Sequence, residues 1–166
     1  MTPFQILTKE ALDELQTSTD RAIAIVGAVL IDNGLRTLIS AELRADQGVE
    51  NDLFQPTGPL GALGPKARLA YMMSLIEKHA YDDILLIEHI RNRFAHRLEC
   101  KNFDHTLIAK EIKKLSTNEI SKIALKRKYP DRPPLRSLFL MALYSTVDRV
   151  LALPPLNPAD IILRPF

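Results

Sequence analysis

The stretch Arg91-Asn92-Arg93-Phe94-Ala95-His96 gathers side chains that could act on a phosphodiester. A histidine can give or take a proton near neutral pH, and an arginine can stabilise charge on a phosphate. Helical geometry constrains that chemistry. With Ile84 at 0° and about 100° per residue, Ile87, Ile90, Phe94 and Leu98 fall together at roughly 240–320° and define a core face. Arg91 lies near 340°, at the edge of that face, whereas His89, Asn92 and His96 lie at about 80–140°. Arg91 and His96 therefore stand about 140° apart and cannot meet on one regular helix. Catalysis would need the helix to break before His96, or a second subunit to supply an Arg/His pair. The alternative is structural. A half-buried Arg91 requires a carboxylate, because an unpaired buried charge is costly, and Asp20, Asp32 and Glu88 are the candidates. Asn92 and His96 would then bond groups at the helix end, and with Asp20, Arg21, Asp32 and Arg91 they form the candidate cluster. No residue is assigned a catalytic role outright; a ribonuclease would use Arg91, Asn92 and His96.

Other chemistry is thin. The histidines are His79, His89, His96 and His105. His89 and His96 share a face, but seven residues is about 10 Å of helix, too far to hold one metal ion directly. Cys100 is the single cysteine, which excludes an internal disulfide and a cysteine-based zinc site, and its expected role is a small buried residue. Gly58-Pro59-Leu60-Gly61-Ala62-Leu63-Gly64 has no strand before it and no GK[ST] after it, so it is not a phosphate loop. Its glycines are expected to permit tight backbone packing. Neither a metal nor a cofactor is implied.

Charge offers a further candidate. Between Lys110 and Arg136 nine Lys/Arg stand against three Asp/Glu, although the whole chain carries only +2. Lys113, Lys114, Lys122, Lys126, Arg127 and Lys128 could form a nucleic-acid patch, or simply a solvated helical face. A helix-turn-helix over Leu107 to Ile123 fails in register. With Ala109 at the small position, the turn falls on Lys113 and the apolar positions of the second helix fall on Glu119 and Lys122. Weak, sequence-independent attraction to phosphates is the most this segment implies.

The elements that carry these residues read as helices throughout, since no segment alternates as a strand. Thr8 could cap a short first helix through Leu12 and Leu15. Thr19 or Asp20 opens a second, apolar on all sides from Ala22 to Ile31 and running to about Leu43, which suits the centre of a bundle. Residues 45–65 read as a structured loop. A third helix is expected from Lys66 to about Lys78, with Pro65 in its first turn. A fourth runs from Tyr81 or Asp82 to His96, a fifth from an Asp104 cap to Leu115, and a sixth over Asn118 to Lys128. Pro133 starts a long last helix to about Leu153, and the proline-punctuated residues 154–166 follow as an extended tail. The fold class is all-α, a single helical domain over residues 1–166 with six to seven helices and a long buried central helix.

At 166 residues the chain can bury one sizeable core, and 46% hydrophobic with 25% charged residues is ordinary for a globular domain. No uncharged run approaches the ~18–20 residues of a membrane span, and the first residues lack a signal peptide's basic and apolar regions. A cytoplasmic protein free of membrane is expected.

The RNxxxH arrangement resembles the signature of the HEPN superfamily, helical bundles that include RNA-cleaving toxins. A longer resemblance is to the mannitol-operon-repressor (MtlR) family. It runs through Asp20-Arg21, Leu30-Ile31-Asp32, Leu53-Phe54, Gly58-Pro59-Leu60-Gly61, Lys66, Leu69-Ala70-Tyr71, Leu75-Ile76, Tyr81, Ile90 to His96 and Phe103-Asp104, covering roughly residues 18–116. Gly64-Pro65 departs from the family's usual serine-alanine helix start. The resemblance implies an all-helical transcriptional regulator that restrains a sugar-alcohol operon through protein partners, such as a regulator or part of the transcription apparatus. It leaves room for a homodimer. The HEPN-type, metal-independent ribonuclease is the first alternative, and a repressor that binds DNA through 110–136 is the second.

Overall fold

The computed structural model describes residues 10–116, 123, 127 and 134–151, and the described elements are all helices. Residues 10–15 form α1. The others are α2 (Asp20–Ser40), α3 (Gln47–Phe54), α4 (Leu63–Met72), α5 (Lys78–His96), α6 (Thr106–Ile112) and α7 (Leu135–Leu151). The all-α expectation is met. Thr8, the helix expected over 118–128 and the tail 154–166 lie outside the described residues, except that Ile123 and Arg127 are helical and exposed.

Thr19 starts α2 by accepting the amide of Ala22 at 3.2 Å, an ordinary N-cap that satisfies one of the free donors of a helix start. The helix then buries Ile23, Ala24, Gly27, Ala28, Ile31, Gly34, Leu35 and Ile39 against α4, α5 and α7. Its partner α7 runs parallel to it. Asp20 meets Arg136, Gly27 meets Leu143 and Gly34 meets Val150, each pair 116 residues apart and each seven residues beyond the last. A seven-residue beat on both helices is the pattern of two helices crossing at a small angle. The glycines set how close they come. A methyl group on Gly27 would stand 2.6 Å from Leu143 Cδ2, and one on Gly34 would stand 2.7 Å from Val150 Cγ1.

Among the described residues a second long helix is buried beside α2, and the more enclosed of the two is α7. It buries eleven of its seventeen residues, whereas α2 buries eight of twenty-one and leaves Val26 and Val29 in solvent at 38% and 48% exposure. By length and composition α2 could cross a membrane, with a mean hydropathy of 1.7 over its most apolar window. Here its buried apolar residues, Ile23, Ile31, Leu35 and Ile39 among them, pack against neighbouring helices, and its acids are paired within the fold.

Phe94, Phe103 and Phe139 form a continuous aromatic chain through the core. Phe94 meets Phe103 edge-on at 5.5 Å, and Phe103 stacks on Phe139 at 4.6 Å. Such pairs add about 0.5–1.5 kcal/mol each beyond area burial. Tyr144, buried on α7, donates its hydroxyl to Leu12 O at 2.6 Å and so ties α1 to the bundle.

Several boundaries differ from the sequence reading. The supposed loop 45–65 contains α3, capped by Asp46 Oδ1 on the amide of Val49. The turn after it brings backbone onto backbone: a side chain at Gly58 or Gly61 would strike the carbonyl oxygens of Asp52 and Leu53, or of Gln55 and Pro56. The third expected helix begins earlier and ends at Met72. It closes with Leu75 N–H on Ala70 O and Ser74 N–H on Tyr71 O, the Schellman pattern, with Ser74 at φ 59° in the position that glycine usually takes. The next helix starts at Lys78, four residues before Asp82, while α6 starts after His105 and stops at Ile112.

Replacing Gly27 by valine is expected to destabilise the protein by about 1–3 kcal/mol, since the added methyls must push Leu143 aside in a packed seam. The same change at exposed Gly48 is expected to cost little. Urea unfolding followed by circular dichroism measures both.

Candidate functional site

Phe94 belongs to α5 and Phe103 to the loop that follows it, so the end of α5 is fixed by the core. Ile84, Ile87, Ile90 and Phe94 are fully buried as periodicity requires. Helix α5 remains regular through His96 and ends where Arg97 turns extended, at φ −127° and ψ 105°. That turn reverses the expectation for Leu98, which is 81% exposed instead of buried. Arg91 and His96 therefore keep their separation around the helix, and His96 and His89 are exposed.

Arg91 is half-buried, yet its partner is not a carboxylate. Its Nη1 donates to Asn92 Oδ1 at 2.8 Å. The three acids expected to hold it are each engaged elsewhere. Glu88 accepts the amide of Gly64 at 3.1 Å and so caps α4 from across the bundle. Asp32 pairs with Lys66 at 2.9 Å. Lys66 is only 2% exposed, donates to Leu60 O at 2.9 Å, and lies 6.0 Å from the Phe54 ring centre; Arg36 lies 5.2 Å from the same centre.

Asp20 has the densest set of partners. One carboxylate oxygen takes an ion pair from Arg136, and the other accepts the amide of Phe103 at 2.8 Å. Arg136 also donates to Gln16 O at 2.9 Å and to Ser18 O at 2.6 Å. Next to Asp20, Arg21 reaches Cys100 O at 3.0 Å and Leu98 O at 3.4 Å. The first turn of α2 thus holds three things together: the chain leaving α1, the start of α7, and the loop that follows the RNRFAH segment. Cys100 is fully buried in that loop, with its Sγ 3.6 Å from His105 Nδ1.

The six residues of the candidate cluster are consequently split. Asp20 and Arg21 share one junction, Asp32 belongs to the Lys66 pair, and Arg91 with Asn92 forms a third small contact. Of the basic patch, Lys113 and Lys114 are exposed, and Lys114 pairs with Glu111 at 3.2 Å. Arg127 is exposed, and Lys122, Lys126 and Lys128 lie outside the described residues. Arg136, counted with the basic excess, belongs to the interior junction. Sequence reasoning missed Arg136, the burial of Lys66 and a buried acid, Asp83, which is 1% exposed. Nothing local marks the first, because its partner stands 116 residues away. Among the described residues no group of three or more His, Cys, Asp or Glu side chains could hold a metal ion.

These contacts rank two arginines. Arg136→Ala is expected to lower stability by about 2–5 kcal/mol, since it leaves Asp20 largely buried without its cation. Arg91→Ala is expected to cost about 1 kcal/mol, the worth of a single side-chain hydrogen bond. Denaturant midpoints of the two variants check the order.

Two solved structures share this fold. The MtlR–HPr complex from Escherichia coli superposes with a TM-score of 0.64 at 20% identity, covering 90% of this chain and 99% of that chain. A possible transcriptional regulator, YggD, from Shigella flexneri 2a str. 2457T gives a TM-score of 0.68 at 17% identity, covering 86% and 98%. No functionally curated protein matches in sequence. The mannitol repressor (MtlR) family profile matches residues 8–149, which takes in every described helix up to the last turn of α7, and the chain belongs to that family.

Proposed function

We propose that this protein is a cytoplasmic mannitol-repressor-type regulator that acts through a protein partner and does not read operator DNA itself. The observation that carries the reading is the family match over residues 8–149, together with a relative solved as a complex with HPr. HPr, or a protein of its kind, is the first partner to test. The geometry of α6 agrees. Ile108, Ile112 and Leu115 are buried, so this segment faces the core, and the lysines left outside can meet phosphates but not base edges in a defined register.

The ribonuclease alternative has less support, because α5 does not break before His96 and a single chain keeps Arg91 and His96 on different faces.

Two titrations test the proposal. Isothermal calorimetry with HPr from the same organism is expected to give a saturable complex, and the absence of heat at protein concentrations of roughly 100 μM, where micromolar complexes saturate, would count against that partner. Fluorescence anisotropy at about 150 mM salt is expected to show no preference for operator over scrambled duplex, with weak binding lost as salt rises. A preference of ~10³ or more, the lower end for specific DNA binders, would restore direct reading of DNA.

A further inference from the structure

Helix α2 leaves a second apolar strip open on the side away from the core. Ala22, Val26, Val29 and Asn33 follow one another at steps of four, three and four residues, and at about 100° per residue they share a sector some 60° wide. Val26, Val29 and Asn33 are exposed, and half-buried Ile25 and Leu30 border them. Between Arg21 and Arg36 the one charged residue is Asp32, which is turned to Lys66. Farther along the same side the helix is covered by α3: Arg36 lies over the Phe54 ring, and Glu50 accepts the hydroxyl of Ser40 at 2.7 Å. The open strip is thus half of one helix face, about 16 Å long and closed at one end by α3.

We propose that this strip is the contact between two copies of the chain, packed antiparallel about a two-fold axis beside Gly27 and Ala28. Steps of four and three are the spacing at which one helix seats its side chains between those of another at a small crossing angle. The inner side of α2 already uses that seven-residue beat against α7. Centred on the axis, the strip is complementary to itself: Val26 meets Val29 of the second copy twice over, and Ala22 meets its Asn33. Exposed Arg36 then comes level with Thr19 of the second copy, beside its exposed Glu14, whose carbonyl holds the hydroxyls of Thr17 and Ser18. The other charges at that end are engaged, Asp20 with Arg136 and Arg21 with the carbonyls of Leu98 and Cys100. A parallel pair would set Arg36 against Arg36 and drive the two α3 helices together, whereas the antiparallel pair carries each α3 past the start of the other α2. One helix pair of this length covers less than the ~800 Å² per partner of a standard interface, so the dimer is weak and exchanges with the monomer.

Sedimentation equilibrium of the full chain from about 1 to 500 μM, a span that captures micromolar association, tests the proposal. The wild-type mass is expected to rise from one chain toward two. Val29→Glu places an unpaired charge in the seam and is expected to weaken association at least tenfold, with an unchanged urea midpoint because Val29 is 48% exposed. Met72→Glu, which alters a more exposed apolar residue at the end of α4, is expected to associate as wild type does. Cysteine cross-linking reads the direction. Ala22→Cys and Asn33→Cys chains are expected to cross-link when mixed and oxidised but not separately, since like positions stand about 16 Å apart along an antiparallel pair. Cys100 is fully buried and does not compete. A wild-type chain that stays monomeric, a Val29→Glu chain that associates like wild type, or cross-linking of Ala22→Cys with itself would each overturn the proposal. A monomeric wild type that loses HPr binding on Val29→Glu would overturn it too, and would give the strip to that partner instead.

Discussion

The carboxylate of Asp20 sits where three separate stretches of chain converge. It neutralises Arg136 at the start of α7 and accepts the amide of Phe103 from the loop after α5, while Thr19 caps the helix that carries it. Parallel helices need such a fastening. Two antiparallel neighbours can be joined by a short loop that sets their register, but α2 and α7 are joined through α3, α4, α5 and α6, so the chain between them imposes no register. The ion pair at Asp20 supplies it. Once Arg136 lies beside Asp20, the seven-residue beat brings Leu143 onto Gly27 and Val150 onto Gly34, and a slip by one residue would drive larger side chains into the seam. The short polar contact and the glycine seam are two halves of one constraint.

The same junction explains why the RNRFAH segment has the shape it has. Arg21 grips the carbonyls of Leu98 and Cys100, Asp20 grips Phe103, and the Phe94–Phe103–Phe139 chain carries the hold into the core. The end of α5 is therefore built from α2, and its exposed residues, His96 and Leu98 among them, are presented on a fixed frame. A second buried contact, Lys66 with Asp32 and Leu60 O, fixes the turn between α3 and α4 on the middle of α2. A buried ion pair is a weak source of net stability, but breaking one is costly, so pairs such as these fix which neighbours α2 accepts.

Most of the helical plan was legible in the sequence because amphipathic periodicity survives wherever a helix has one dry face. The buried positions of α5 from Ile84 to Phe94 follow it directly. Helix α3 escaped because Gly48, Asn51 and Asp52 are poor helix formers, and its one strong sign, the Asp46 cap, lies in a stretch crowded with turn residues. Leu98 kept the helical period but fell beyond the end of the helix, where period no longer predicts burial. The site was less legible than the fold. Asp20, Asp32 and Arg91 were recognisable as residues needing partners, but which carboxylate meets which cation depends on tertiary placement. Arg136 looked like part of a basic surface, because a charge in sequence gives no sign of its own burial. Asp83 has the ordinary look of an acid in the first turns of a helix.

If the Asp20–Arg136 contact sets the register of α2 against α7, its two partners must be strongly coupled. A double-mutant cycle with Asp20→Asn, Arg136→Met and the combined variant, read by urea denaturation, measures that coupling. The account predicts a coupling of about 2–3 kcal/mol, the upper range for residues in one network, with the double variant little worse than either single one. Additive effects within about 0.5 kcal/mol, the behaviour of independent sites, would contradict it.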